Sequence, residues 1–177
     1  LMPEKHHWTL CISTQIGCAL GCSLCYTGTL GLKRNLTVAA ILNQGSAVLK
    51  DGQFKEKLPN LVFMGMGEPL LNYENTLKSL GILLSPWGFN FSHRKITVST
   101  AGITPAIKQL AHDLPVNLAL SLNASNDKTR TFLMPVNKKY PLKELLAEAR
   151  SFPIPSRKRI TFEYILIKDV NDTAAHA

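Results

Sequence analysis

Cysteine is scarce in this chain and confined: Cys11, Cys18, Cys22 and Cys25 fall within fifteen positions, and the 177 residues hold only these four. Such crowding, in a chain too long to need covalent staples, argues against a disulfide framework. No second C-x-x-C and no H-x-x-x-H element follows, so the paired form usual for structural zinc sites is also missing. Long apolar runs are absent. Those present, such as 118–122 and 164–167, are far too short to cross a bilayer, which speaks against a membrane partner. The amino terminus lacks the basic-then-apolar order of a secretion signal, and with the reduced thiols this points to a cytoplasmic protein. Acidic residues are few: 12 Asp and Glu against 20 Lys and Arg leave a net charge of +8, which suits a polyanionic partner, most simply nucleic acid. With 45% apolar and 18% charged residues, the length fits one domain over 1–177 with a single core.

The cysteines that are present carry the strongest signal. Cys18, Cys22 and Cys25 read C-x-x-x-C-x-x-C, with Cys11 seven residues upstream. Iron-sulfur clusters are normally held by four Cys, so a compact set of three suggests a 4Fe-4S cube with one iron open to a non-protein ligand. Gly17 and Gly21 sit beside two of the cysteines, where backbone must wrap closely around a bulky cluster. A zinc site completed by His6, His7 or Cys11 is the rival, because zinc spacings tolerate variation.

Strand-length apolar runs alternate with helical periodicity, which predicts an α/β fold built of βα units around a parallel sheet. Five strands are expected, over 8–13, 61–64, 95–100, 116–122 and 159–167. A helix capped by Thr37 should run to Leu49 with Val38, Ile41, Leu42, Val48 and Leu49 inward. A second, capped by Asn72, should span 73–84 with Leu77, Leu80 and Leu84 inward; a third starts at a Thr104 cap followed by Pro105 and runs to about Leu110. Helices over 127–133 and 141–151 complete the set. Right-handed crossovers make such units a barrel or an open sheet, and both gather ligands at the carboxyl ends of the strands. The cysteine loop, Gly65-Met66-Gly67-Glu68-Pro69, Ser99-Thr100-Ala101-Gly102 and Ser121-Leu122-Asn123 all fall there. The basic groups Lys33-Arg34, His93-Arg94-Lys95, Lys138-Lys139 and Arg157-Lys158-Arg159 lie at element ends, where a loop could face a phosphate backbone.

The cysteine loop with Tyr26 beside its last Cys, followed by a Gly-Glu-Pro turn after the second strand, resembles the radical S-adenosylmethionine (radical SAM) superfamily. The runs over 11–18, 31–36, 63–70, 134–137 and 170–172 resemble, more narrowly, the RlmN/Cfr family of ribosomal RNA methyltransferases; Pro69 favours the RlmN branch, which methylates C2 of an adenine, over the Cfr branch, which methylates C8. The resemblance implies a partial (βα)6 barrel of which about five units are present. It implies that Cys18, Cys22 and Cys25 ligate a 4Fe-4S cluster whose fourth iron chelates SAM. Gly67 and Glu68 match the SAM-binding turn, with Glu68 suited to the ammonium group, and Ser99, Ser121, Leu122 and Asn123 match further SAM contacts. Asn123 stands where His is common, which puts any role in proton balance in doubt. The implied reaction methylates a cysteine with one SAM, cleaves a second, and adds the resulting carbon radical to adenine C2. Cys11 matches the cysteine that takes the C2 proton and resolves the protein–RNA adduct through a disulfide. Implied partners are 23S rRNA, tRNA, and an electron donor such as flavodoxin or ferredoxin. Starting at Leu1 and stopping soon after Asn171, the chain is expected to be a fragment, with the methyl-carrying cysteine, a sixth strand and an amino-terminal RNA-binding domain outside it. Another radical SAM enzyme and a non-enzymatic zinc and RNA-binding module are the remaining readings.

Overall fold

The computed structural model describes residues 1–3, 7–50, 58–154 and 159–176. In chain order its strands are β1 (Met2–Pro3), β2 (Trp8–Cys11), β3 (Gln15–Ile16), β4 (Arg34–Asn35), β5 (Asn60–Phe63), β6 (Ile96–Thr100), β7 (Asn117–Ser121) and β8 (Thr161–Glu163). The helices are α1 (Tyr26–Thr29), α2 (Val38–Leu49), α3 (Tyr73–Leu84), α4 (Thr104–Asp113), α5 (Asp127–Leu133) and α6 (Leu142–Ser151). The main sheet has the order β1-β2-β5-β6-β7-β8 and is parallel throughout except for the β1–β2 pair. It is an α/β fold whose parallel strands form part of a barrel. His6, Arg157 and Lys158 lie outside the described residues.

Parallel strands covered on both faces must be apolar nearly throughout. Leu10, Leu61, Phe63, Ile96, Val98, Leu118 and Leu120 are accordingly almost fully buried, and Ile41, Leu80, Leu83, Ile107, Leu110 and Leu145 pack on them from the helices. None of the described helices is long and apolar enough to cross a membrane.

Several boundaries differ from expectation, each because a side chain competes with the backbone ladder. The first strand stops at Cys11, since the Ser13 N–H turns to Gln44 Oε1 and Gln15 and Ile16 pair with β4 instead. The last strand shrinks to three residues: the Ile165 N–H goes to Asn123 Oδ1 and the Ile167 N–H to Asn171 Oδ1. Thr37 caps α2 as expected, accepting the Ala40 N–H, although Ile41 and Gly45 are the buried positions of that helix. Asn72 precedes α3 but gives no side-chain cap; its Nδ2 donates to the carbonyls of Thr14 and Leu36. On α3, Thr76, Ser79, Leu80 and Leu83 are buried in place of Leu77 and Leu84. Thr104 is the first residue of α4 rather than its cap, and its hydroxyl bonds Glu144 of α6.

Candidate SAM and iron-sulfur site

The β3–β4 ladder clasps the base of the cysteine loop. Gln15 pairs with Asn35 and Ile16 with Arg34, and the Lys33 N–H reaches Ile16 O at 2.9 Å. At this neck Gly17 has φ +76°, and a Cβ there would fall 1.8 Å from the Gly31 carbonyl oxygen, so only glycine closes the loop. The loop's far side is tied to α5: the Ser23 N–H donates to Leu133 O at 2.9 Å. These two anchors place Cys18, Cys22 and Cys25 on the wall of one cavity of about 400 Å³.

All four cysteines are free thiols. Burial raises the Cys18 thiol and pushes Cys22 up to about 11, with the neighbouring thiolates adding repulsion. Cys18 and Cys22 resist ionisation, and a cation beside them would hold them as thiolates. Among the described residues no three His, Cys, Asp or Glu converge closely enough for one metal ion. Thiols spread around a shared cavity fit a polynuclear cluster, each iron taking one sulfur, better than a single tetrahedral ion.

The Gly65–Pro69 turn lies over Ser13–Gln15. Met66 accepts the N–H groups of Thr14 and Gln15 on its carbonyl and gives its own N–H to Ser13 Oγ. Gly67, at φ +97°, lets the turn pass within 2.4 Å of Gln15 Cβ as measured from an added Cβ. Gln15 is fully buried, and its amide bridges Asn35 Oδ1 and the Glu68 N–H. Glu68 lines the cavity but is committed to the protein. Its Oε1 accepts the Leu70 N–H at 3.1 Å and its Oε2 the Ala101 N–H at 2.8 Å. Burial raises its pKa, opposed by those N–H groups and the Thr100 hydroxyl. These bonds pin the turn to the end of β6 without filling the roughly four acceptor positions of a carboxylate.

Ser99, Ser121 and Asn123 reach the same cavity from β6 and β7. Asn123, at φ +56°, uses its amide internally, accepting the Ile165 N–H and donating to Met134 Sδ at 3.3 Å. Leu122 and Cys11 do not line this cavity; Leu122 joins it only through its backbone, and Cys11 is half-buried at the end of β2, its thiol raised by burial. Two residues escaped the sequence reading. Arg130 of α5 is fully buried, donating to the carbonyls of Ala101, Ser121 and Leu122 and to Asn137 Oδ1, and so braces three strand-end residues at once. Glu163 of β8 lines the cavity and accepts both serine hydroxyls. Nothing in the helix periodicity marks Arg130, whereas a lone acid in the apolar run of an expected strand was a signal for Glu163.

A parallel-sheet partial barrel with a cysteine-triad loop at its carboxyl end defines a class, and the family profile of the radical SAM superfamily matches residues 12–176. The chain belongs to that superfamily. Within it, the chain is 53% identical over its whole length to a dual-specificity RNA methyltransferase RlmN from Syntrophus aciditrophicus, and 53% identical over 98% of its length to one from Geotalea uraniireducens. It covers 51% and 49% of those proteins, so it spans about half their length. A crystal structure of a radical SAM methyltransferase from Sphaerobacter thermophilus superposes with a TM-score of 0.92 at 45% identity, covering 99% of this chain and 52% of that one.

Proposed function

We propose that this chain is the radical SAM core of an RlmN-type enzyme that methylates C2 of an adenine in 23S rRNA, and of an adenine in tRNA. The observation that carries the reading is the convergence of Cys18, Cys22 and Cys25 with Gly67, Glu68, Ser99 and Ser121 on one cavity. Whole-length similarity to RlmN proteins supports the C2 branch.

Cys18, Cys22 and Cys25 would hold three irons of a 4Fe-4S cluster, leaving the fourth for SAM. The cluster supplies the electron that turns bound SAM into a radical source, which an electron-poor aromatic C–H demands. The chain's own residues position and shield. The Gly67 turn and the strand-end serines offer polar atoms to SAM, while Leu20, Leu24, Phe63, Met134 and Ile165 on the same wall exclude water. Cys11, as the thiolate, is assigned uptake of the C2 proton. After losing it to solvent, the thiolate would attack the sulfur of a methyl-carrying cysteine outside this chain, forming the S–S bond and breaking the sulfur–methylene bond, so that the carbon leaves attached to C2 and is protonated to the methyl group.

An RNA partner is supported by charge and by what surrounds the cavity. Tyr26, next to Cys25, is 81% exposed, and Phe132, two residues before Met134, is 68% exposed. Exposed Lys128 lies one turn from Phe132 on the same face of α5, and exposed Lys33 and Arg34 sit at the loop's neck. Aromatics beside cations suit unstacked bases and phosphates. A reduced flavodoxin or ferredoxin is the proposed electron donor and the cytoplasm the proposed compartment. The test is mass spectrometry of rRNA from cells lacking their own enzyme and supplied with the full-length protein. 2-Methyladenosine should return; 8-methyladenosine, or no methylation, would overturn the reading.

A further inference from the structure

Trp87 has no part in the reading above, yet among the described residues it is the most exposed large hydrophobic side chain, at 96%. A single apolar residue in water is ordinary, and Trp87 carries weight only because of how it is held. Its turn, between α3 and β6, is fixed by five backbone donors. The Trp87 N–H goes to Ser85 Oγ at 3.2 Å, those of Gly88 and Asn90 to Ser85 O at 2.9 and 3.1 Å, that of Phe89 to Ile82 O at 3.3 Å and that of Phe91 to Leu83 O at 2.8 Å. The turn lies so close on the end of α3 that a Cβ at Gly88 would fall 2.1 Å from Ile82 O. Phe91 then anchors the connection in the core. The indole thus stands in water on a rigid mount, and little backbone entropy is left to lose when something docks on it.

The surrounding charge names the partner. The stretch 75–112 contains no Asp or Glu, while Lys78, Arg94, Lys95 and Lys108 all fall within it. Exposed Lys78 stands one helical turn before Ile82, the residue on which the turn rests, and so on the same face of α3. Exposed Arg94 follows on the same connection, its carbonyl held by Asn117 Nδ2. A polyanion that also offers flat rings to stack is RNA. We propose that Trp87, Lys78 and Arg94 form a second RNA contact, in which a base stacks on the indole and the cations take neighbouring phosphates. The inference rests on the reading of this chain as an RNA-modifying core. Helix α3 carries the chain back from the carboxyl end of β5 to the start of parallel β6, so the contact lies at the end of the sheet opposite the cavity. The five residues of β6 alone separate the two by about 17 Å. The contact therefore grips RNA beyond the target nucleotide and adds affinity without touching the chemistry.

The experiment measures binding and methylation of unmodified transcripts, a 23S rRNA fragment and a tRNA, by the anaerobically reconstituted full-length protein as wild type, Trp87→Ala, Trp87→Phe and Lys78→Ala. Trp87→Ala should weaken RNA binding about fivefold or more, the loss of one base stacked on an aromatic ring. Its KM for RNA should rise while kcat, iron content and SAM affinity hold, and Trp87→Phe should recover most of the loss. Lys78→Ala should flatten the slope of log affinity against log salt by about one. Both side chains are exposed, so neither change threatens the fold. Unchanged RNA affinity in Trp87→Ala, or an unchanged salt slope in Lys78→Ala, would overturn the proposal. So would a Trp87→Ala protein that binds RNA normally and cleaves SAM with dithionite but not with a reduced flavodoxin, because the patch would then dock an acidic protein. No RNA binding by wild type would instead sink the RNA reading beneath it.

Discussion

Gly67→Ala tests whether the turn between β5 and the Pro69–Asn72 helical turn is a fitted part or a loose connection. Two costs follow from the structure. At φ +97° an alanine is strained by roughly 1–2 kcal/mol, the penalty of left-handed backbone for a residue with a Cβ. That Cβ would also lie 2.4 Å from Gln15 Cβ and 2.6 Å from its Cγ. Gln15 cannot swing aside cheaply, because it is fully buried and both ends of its amide are bonded, to Asn35 and to the Glu68 N–H. Overpacking of this kind costs about 1–3 kcal/mol. The sum, roughly 2–5 kcal/mol, should lower Tm by about 4–20 °C for a chain of this size. Gly81→Ala is the control. Gly81 sits in α3 with nothing within 4 Å of an added Cβ, so alanine should stabilise by about 0.5–1 kcal/mol. Thermal and urea unfolding measure both, and SAM affinity should fall in the first variant alone. A Gly67→Ala protein within about 0.5 kcal/mol of wild type would refute the reasoning, since surface changes away from special geometry stay in that range.

Cys22→Ala should abolish cluster assembly, read as iron and sulfide content after anaerobic reconstitution; full iron retention would end the cluster assignment, and stoichiometric zinc in wild type would favour the single-ion rival. Cys11→Ala in the full-length enzyme should keep its cluster and cleave SAM yet accumulate a nuclease-sensitive protein–RNA adduct on a denaturing gel; free product at the wild-type rate would remove Cys11 from the resolving role. Glu68→Gln should lower Tm as well as SAM affinity, because its NH2 must face the N–H of either Leu70 or Ala101; the orphaned donor costs about 1–3 kcal/mol, partly offset by removing a buried charge. A higher Tm in that variant would show that the charge, not the hydrogen bonds, dominates. Arg130→Met should destabilise by roughly 3 kcal/mol or more, since four acceptors, two of them buried and two part-buried, lose their donor together.

The alternation of elements and the gathering of motifs at strand ends were legible because each rests on short-range signals. Periodicity, a Thr37 cap and three cysteines in eight residues need no knowledge of distant contacts. What stayed hidden depends on pairs far apart in the chain. Glu68 reads as a loop acid suited to a ligand, and its second task, holding the Ala101 N–H thirty-three residues on, is invisible in the sequence. Asn72 reads as a helix cap, but the carbonyls of Thr14 and Leu36 outbid the helix for its amide. Arg130 is the extreme case: on one turn of α5 it looks like any solvated cation, and only the ends of β6 and β7, brought side by side, supply enough carbonyls to bury a guanidinium. The sequence motif over 134–137 acquires its reason the same way, because Asn137 orients Arg130 while its own amide is held by Asp127 and Thr131. The motifs that line the cavity are thus spelled in contiguous residues, and the contacts that hold those residues still are assembled by the fold.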